Sequence, residues 1–296
     1  MRIIIDTDIG DDIDDAFAIS LALQTPELDL LGITTVFRNS FKRAKIVKAL
    51  LNSFKRDIPV YAGEDKPLLQ SINKLVYEKD ITKDADGSVN VPHYLPEYEK
   101  YEVQSNAVDY LLKQAREYEN ELTLVAIGPL TNLAKAYLKD PVAFKKLKQI
   151  VMMGGQEKGV FAEWNFRCDP EAAKIVFDSG VPIKMVGINV TKFCKLSKKD
   201  IKSIEEEPFV ASDVLNTMLK KWLLDNDFKK EPIMHDGLAV AELTQQFCSY
   251  HKRKASVCIE GEKRAMVCGG EYEAELAVSV NHEQFIGYMF NRLRRK

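Results

Sequence analysis

Cysteine is scarce in this chain: five in 296 residues, at Cys168, Cys194, Cys248, Cys258 and Cys268. Their number is odd and none forms a C-x-x-C pair, which excludes a disulfide framework and the usual zinc or redox motifs. Buried, reduced thiols in a cytoplasmic protein are the expectation. Long apolar runs are also missing. Only Ile3, Ile4 and Ile5 precede the first acid, and no stretch approaches the roughly 18 apolar residues of a membrane span, so neither a leader nor a membrane partner is expected. Charge of one sign is not in excess either, with 42 basic against 44 acidic residues and a net charge of −2. No global field would attract nucleic acid. Internal repeats and low-complexity tracts are absent.

The composition, 46% hydrophobic and 29% charged, suits a globular protein able to bury a sizeable core, read as one domain over 1–296. Strand-like apolar runs alternate with amphipathic stretches through the first two thirds. Strands are expected at Ile3–Ile5, Leu28–Val36, Val60–Tyr61, Leu122–Ile127, Ile150–Met153 and Ile183–Val186. Helices are expected at Ala16–Leu23, Ala44–Phe54, Val108–Tyr118, Leu130–Leu138 and Ala172–Phe177. That alternation predicts an α/β fold, a Rossmann-like, mostly parallel sheet flanked by helices, with loop and helical elaboration over its carboxyl edge. Between 64 and 104 the pattern breaks, and an irregular insertion of that length reads as a functional or a disordered loop. After about 195 helices are expected at Ile201–Ile204, Val210–Leu224 and Leu238–Phe247, then strands at Ala255–Ile259, Ala265–Val267 and Ala274–Val280, and a closing basic helix at Glu283–Arg294.

Asp6, Asp8, Asp11, Asp12, Asp14 and Asp15 lie between a very apolar strand and an apolar helix. Carboxylates so close raise one another's pKa unless a cation neutralises them, so the cluster asks for a metal. In α/β sheets ligands bind beyond the carboxyl ends of the strands, where this loop falls. Asp14 and Asp15 would open the next helix, whose positive end favours acids; Asp11 also suits a helix cap or a solvated loop charge. An all-oxygen donor set suits calcium or magnesium rather than zinc. An EF-hand starting at Asp6 fails, because it would need Gly and Glu where the chain has Asp11 and Phe17. The D-x-D after an apolar strand also resembles the first motif of haloacid dehalogenase-like phosphohydrolases, although Gly10 stands where those have Thr or Val.

Asp6-Thr7-Asp8-Ile9-Gly10 followed by Asp14-Asp15-Ala16 resembles the nucleoside hydrolase signature D-x-D-P-G-x-D-D-A. The run Ala126 to Ala134, Met152-Met153-Gly154-Gly155, Glu163-Trp164-Asn165 with Asp169 to Ala173, and His235-Asp236 resemble that family's later blocks, in family order. The resemblance is to inosine-uridine preferring, calcium-dependent N-ribohydrolases. It implies hydrolysis of ribonucleosides to ribose and free base, one Ca²⁺ ion, and a homodimer or homotetramer. Asp8, Asp15, Asp236 and the carbonyl of Ile127 would hold the metal, and Asp8 would be the general base. Asp14, Asn39, Glu163 and Asn165, with Met153, would contact the substrate, and His235 would face the leaving base. The chain departs from the pattern at Ile9, at Arg38, at Lys83-Asp84, and by two extra residues before Asp14. Asp11-Asp12 is then an insertion, or Asp12 takes a place on the sugar; base preference stays open.

Cleaving an N-ribosidic bond passes through an oxocarbenium-like sugar and needs an activated water, negative charge around the ring and help for the departing base. His235 can serve the base or merely orient Asp236. Trp164 can stack on a base or pack in the core. His93, His251 and His282 read as structural or solvated, as do Arg38 and Lys83 near the mouth and the Lys195–Lys202 face. The rival functions are a haloacid dehalogenase-like phosphohydrolase and a non-catalytic, metal-dependent ribose or nucleoside binding protein.

Overall fold

The computed structural model describes residues 1–79, 81–209 and 212–295. Strand β1 (Arg2–Thr7) buries Ile3, Ile4 and Ile5 completely, as a strand covered on both faces must. It lies mid-sheet, parallel to β2 (Asp29–Thr35) on one side and β4 (Leu122–Ala126) on the other. Around them run β3 (Val60–Ala62), β5 (Gln149–Met153), β6 (Ile183–Val186), β7 (Cys248–Val257) and β8 (Val267–Val280), in the order β3-β2-β1-β4-β5-β6-β8-β7. Every pairing is parallel except β7 with β8. The chain winds outward from β1 to β3, then returns to β4 and winds the other way. The reversal opens a crevice beyond the carboxyl ends of β1 and β4, where ligands bind in such sheets.

Helices cover both faces. The first half carries α1 (Asp14–Leu23), α2 (Ser40–Ser53), α3 (Gln70–Tyr77), α4 (Ala107–Glu117), α5 (Thr131–Lys139) and α6 (Pro141–Phe144). The second half carries α7 (Trp164–Cys168), α8 (Pro170–Phe177), α9 (Ile188–Thr191), α10 (Lys198–Glu206), α11 (Asp213–Asp225), α12 (His235–Ala241) and α13 (His282–Leu293). One large core cluster joins α1, α2, α11, α12 and α13, and a second lies across the sheet under α4, α5 and α8. Among the described residues no helix is long and apolar enough to cross a membrane.

Three expectations change. The helix at Leu238–Phe247 starts earlier and stops at Ala241, because the buried Glu242 carboxylate accepts the backbone N–H groups of Phe247 and Cys248 at 2.6 and 2.8 Å and turns the chain into β7. The three short strands after 255 are instead two long antiparallel ones, interrupted by register shifts. The segment 64–104 is not wholly irregular, since it contains α3 and a 3₁₀ turn at Pro96–Lys100. The start of the Val210–Leu224 expectation lies outside the described residues.

Candidate active site

The loop leaving β1 is held from several sides. Thr7 Oγ1 donates to Asp15 Oδ1 and accepts the Ile9 N–H at 3.1 Å. Gly10 has φ +119°, and a Cβ there would lie 2.4 Å from Val91 Cγ1, so conformation and space both require glycine. Gly128, just past β4, lets Asp8 approach: a Cβ on it would sit 2.9 Å from both the N and Oδ1 of Asp8. Beneath the loop, Asp6 Oδ1 accepts from Thr34 and, at 2.7 Å, from Asn132, which stitches the ends of β1 and β2 together.

Asp14 and Asp15 form the first turn of α1, where the helix dipole favours carboxylates. Helix α12 packs against α1 and brings in Asp236, whose N–H donates to Asp14 Oδ2 at 3.4 Å. Oxygen atoms from Asp14, Asp15 and Asp236 lie within 4.8 Å of one another, and all three residues are buried. Burial, reinforced by neighbouring carboxylates, pushes each of the three well above the usual carboxylate range. Asp8 rises to about 7, again through burial, with Asp11 and Glu163 adding to the rise and Arg43 opposing it. Hard oxygen donors that repel one another out of reach of water fit a divalent cation.

A cavity of about 450 Å³ opens over this cluster. Of the residues expected at a metal, Asp8, Asp15, Ile127 and Asp236 all line it. So do Asp12, Asp14, Met153, Glu163, Asn165 and His235. Asn39 does not: its Oδ1 caps α2 by accepting the Lys42 N–H at 3.1 Å, while Nδ2 donates to Val89 O at 3.1 Å. Glu163 caps α7, its oxygens accepting the N–H groups of Gly155 and Asn165, each at 2.9 Å. Asn165 Nδ2 donates to the carbonyls of Ile127 and Met153, each at 3.1 Å, tying the ends of β4 and β5 to α7. His235 Nδ1 meets Thr191 Oγ1 at 2.7 Å, and burial lowers its pKa to about 4, so the ring is neutral at pH 7.

The sequence reading left one feature open, the insertion as a functional or a disordered loop, and missed another. Residues Lys79, Ile81, Thr82, Asn90 and Pro92 of the insertion wall the cavity. Arg43 is fully buried directly beneath the loop. It falls three and four residues before Ile46 and Val47, on the apolar stripe of α2, and a lone cation on a buried stripe was the available signal.

An inosine-uridine preferring nucleoside hydrolase model matches residues 3–287. The chain belongs to the nucleoside hydrolase family. It is an N-ribosyl hydrolase, whose reaction releases ribose and free base from a ribonucleoside. It is 36% identical over 273 residues to uridine nucleosidase 1 of Arabidopsis thaliana, covering 88% of this chain and 79% of that one. It is 32% identical over 255 residues to the pyrimidine-specific ribonucleoside hydrolase RihB of Escherichia coli O157:H7, covering 82% and 78%. Among solved structures, a plant nucleoside hydrolase superposes with a TM-score of 0.81 at 27% identity, covering 100% of this chain and 99% of that one. An inosine-guanosine nucleoside hydrolase superposes with a TM-score of 0.80 at 23% identity, over 100% and 99%, a likeness of fold alone. Membership of this family sets aside the phosphohydrolase alternative.

Proposed function

We propose that the chain hydrolyses pyrimidine ribonucleosides, uridine first, with Asp8 as general base and one Ca²⁺ ion held by Asp8, Asp15, Asp236 and the carbonyl of Ile127. The observation that carries this reading is the convergence of the buried Asp14, Asp15 and Asp236 oxygens in a nucleoside-sized cavity that Asp8 and Ile127 also line, beyond β1 and β4. A bound divalent ion would neutralise these acids and acidify water. Asp8 takes the proton of the attacking water, its carboxylate kept ionised beside a bound ion and so ready to accept that proton. Asp14, Glu163 and Asn165 orient the ribose hydroxyls, with Asp12 and Met153 at the cavity wall. The negative charge of this wall favours the cationic sugar as the base departs. His235, neutral and with Nδ1 occupied by Thr191, offers its other nitrogen to the leaving base. Asn39 acts one step back, holding Val89 and so the neighbouring wall residue Asn90 in place.

The pyrimidine preference rests on relatives above 30% identity, among them the two described above, which are named for uridine or pyrimidine nucleosides. Five free thiols support a reducing, cytoplasmic setting. We also propose a homodimer or homotetramer, to be read by sedimentation. The deciding assay is reducing-sugar release from uridine, cytidine, inosine, adenosine and guanosine before and after chelation. Uridine should lead, with loss of activity on chelation and recovery with calcium. Tight nucleoside binding without base release would instead identify a binding protein.

A further inference from the structure

Arg43 spends its guanidinium on the polypeptide rather than on solvent or substrate. Nε donates to Phe37 O at 2.8 Å, Nη1 to the carbonyls of Asp8 and, at 2.9 Å, Ile9, and Nη2 to Asp11 Oδ2 at 2.9 Å. Three of these acceptors are backbone carbonyls just past the ends of β1 and β2, so one planar fork fixes the turn from which the Asp8 side chain projects. The turn has no slack on its other side, where Gly10 packs against Val91 and Ile46. Among the described residues, Asp11 is the one carboxylate hydrogen-bonded to the fork. It stands apart from the converging oxygens of Asp14, Asp15 and Asp236. Its side chain keeps one third of its surface exposed, and Arg38 Nη1 lies 3.8 Å from the same oxygen.

We propose that Arg43 and Asp11 form a positioning pair for the hydrolysis: Asp11 fixes the guanidinium, and the guanidinium fixes the Asp8–Ile9 turn so that the Asp8 carboxylate meets the attacking water. The inference rests on the reading of Asp8 as general base. Arg43 stays out of the cavity, and Asp11 lines its wall outside the cluster of Asp14, Asp15 and Asp236. Losing the pair shifts Asp8 in both of its roles, as base and as a ligand of the ion. Once calcium is saturating, the remaining loss is one of proton-accepting geometry, where misplacement by about 1 Å can cost roughly a hundredfold in rate. Lysine preserves the charge of Arg43 but cannot span four acceptors in a plane.

The test uses the calcium-loaded wild type, Arg43→Lys, Asp11→Ala and the double variant, with uridine as substrate, calcium affinity by calorimetry and melting temperature on each. At saturating calcium, Arg43→Lys should lose about a hundredfold in kcat and Asp11→Ala about tenfold, with KM within about threefold of wild type. The double variant should be no worse than Arg43→Lys. Rates within about twofold of wild type, or losses that vanish at saturating calcium or appear in KM instead of kcat, overturn the proposal. If Arg43→Lys does not fold, the partly exposed Asp11→Ala decides alone by the same criteria. A wild type inactive on uridine overturns the pyrimidine reading, and the variants are then compared on the nucleoside it does hydrolyse, whereas an active wild type with unaffected variants overturns only the pair.

Discussion

Removing the ion should destabilise this protein more at neutral pH than in mild acid. In the ion-free fold, burial raises Asp8 from the ordinary 3.8 to about 7. The folded state keeps a proton there that the unfolded chain releases near 3.8. Fewer protons bound in the unfolded state means that stability falls as pH rises through this interval. An ion reverses that dependence, because binding it displaces the proton. One displaced proton changes the binding free energy by about 1.4 kcal/mol per pH unit, so the ion's contribution should grow by about 3 kcal/mol between pH 5 and 7. Asp14, Asp15 and Asp236 act in the same direction. His93 and His235 are both lowered to about 4 by burial and oppose the trend below about 6.5, but they do so with and without the ion and drop out of the difference. At roughly 2 °C per kcal/mol for a chain of this size, the gap in melting temperature between calcium-loaded and ion-free protein should widen by about 6 °C or more. Differential scanning fluorimetry on dialysed protein, with and without millimolar calcium, measures it. A gap that stays constant or narrows from pH 5 to pH 7 would refute the idea that these buried acids carry protons when no ion is bound.

Asp8→Asn should keep the melting temperature of the loaded enzyme within a few degrees and lose about 10² to 10⁴ in kcat; uridine hydrolysis within about tenfold of wild type reassigns the base. His235→Ala should hurt uridine far more than p-nitrophenyl riboside, whose phenolate leaves without a proton, and equal losses on the two substrates would leave His235 only an orienting role. Gly128→Ala places a methyl group 2.9 Å from Asp8 N and Oδ1; it should lower kcat/KM for uridine by at least about tenfold, and an unchanged value would show that Asp8 has room to move. Sites built around a hydroxyl reject analogues lacking it by about 10⁴, so 2′-deoxyuridine should be cleaved very poorly; kcat/KM values within about tenfold of uridine would remove the ribose diol from the recognition scheme.

The sheet was legible because its central strands are short, continuous apolar runs ended by acids or glycines, as at Ile3–Ile5 and Ile150–Met153. The acidic loop was legible for the same reason, since the residues that close a buried strand face the crevice. Strand β7 was not: Lys252, Arg253 and Lys254 are the charges with which an edge strand discourages further pairing, and they hide its period. Asn39 lies beside the cavity in sequence logic, yet the N-cap of α2 claims its oxygen. Arg43 resembles any solvated helix cation until its spacing to Ile46 and Val47 is counted. The wall residues Lys79, Ile81, Thr82, Asn90 and Pro92 carry no periodic signal, because they answer to the cavity and not to a repeating secondary structure.

The electrostatics of the site follow from the reaction. Asp8, Asp12, Asp14, Asp15, Glu163 and Asp236 surround one cavity, and most of them are buried. Arg43 offsets part of this charge from below, since Asp11, Asp8 and Asp15 outweigh the burial that would otherwise oppose its positive form. Full neutralisation by protein cations would have made the empty fold more stable, but it would also have removed the field that a positively charged sugar needs as its base departs. A divalent ion held by the acids of the cluster would resolve the conflict better than a fixed second arginine. It would neutralise the acids that hold it while Glu163 and the other acids around the cavity keep their charge for the transition state. The raised carboxylates of the ion-free protein and the stabilisation of an oxocarbenium-like sugar are thus two consequences of one arrangement, and any substitution that relieves the first weakens the second.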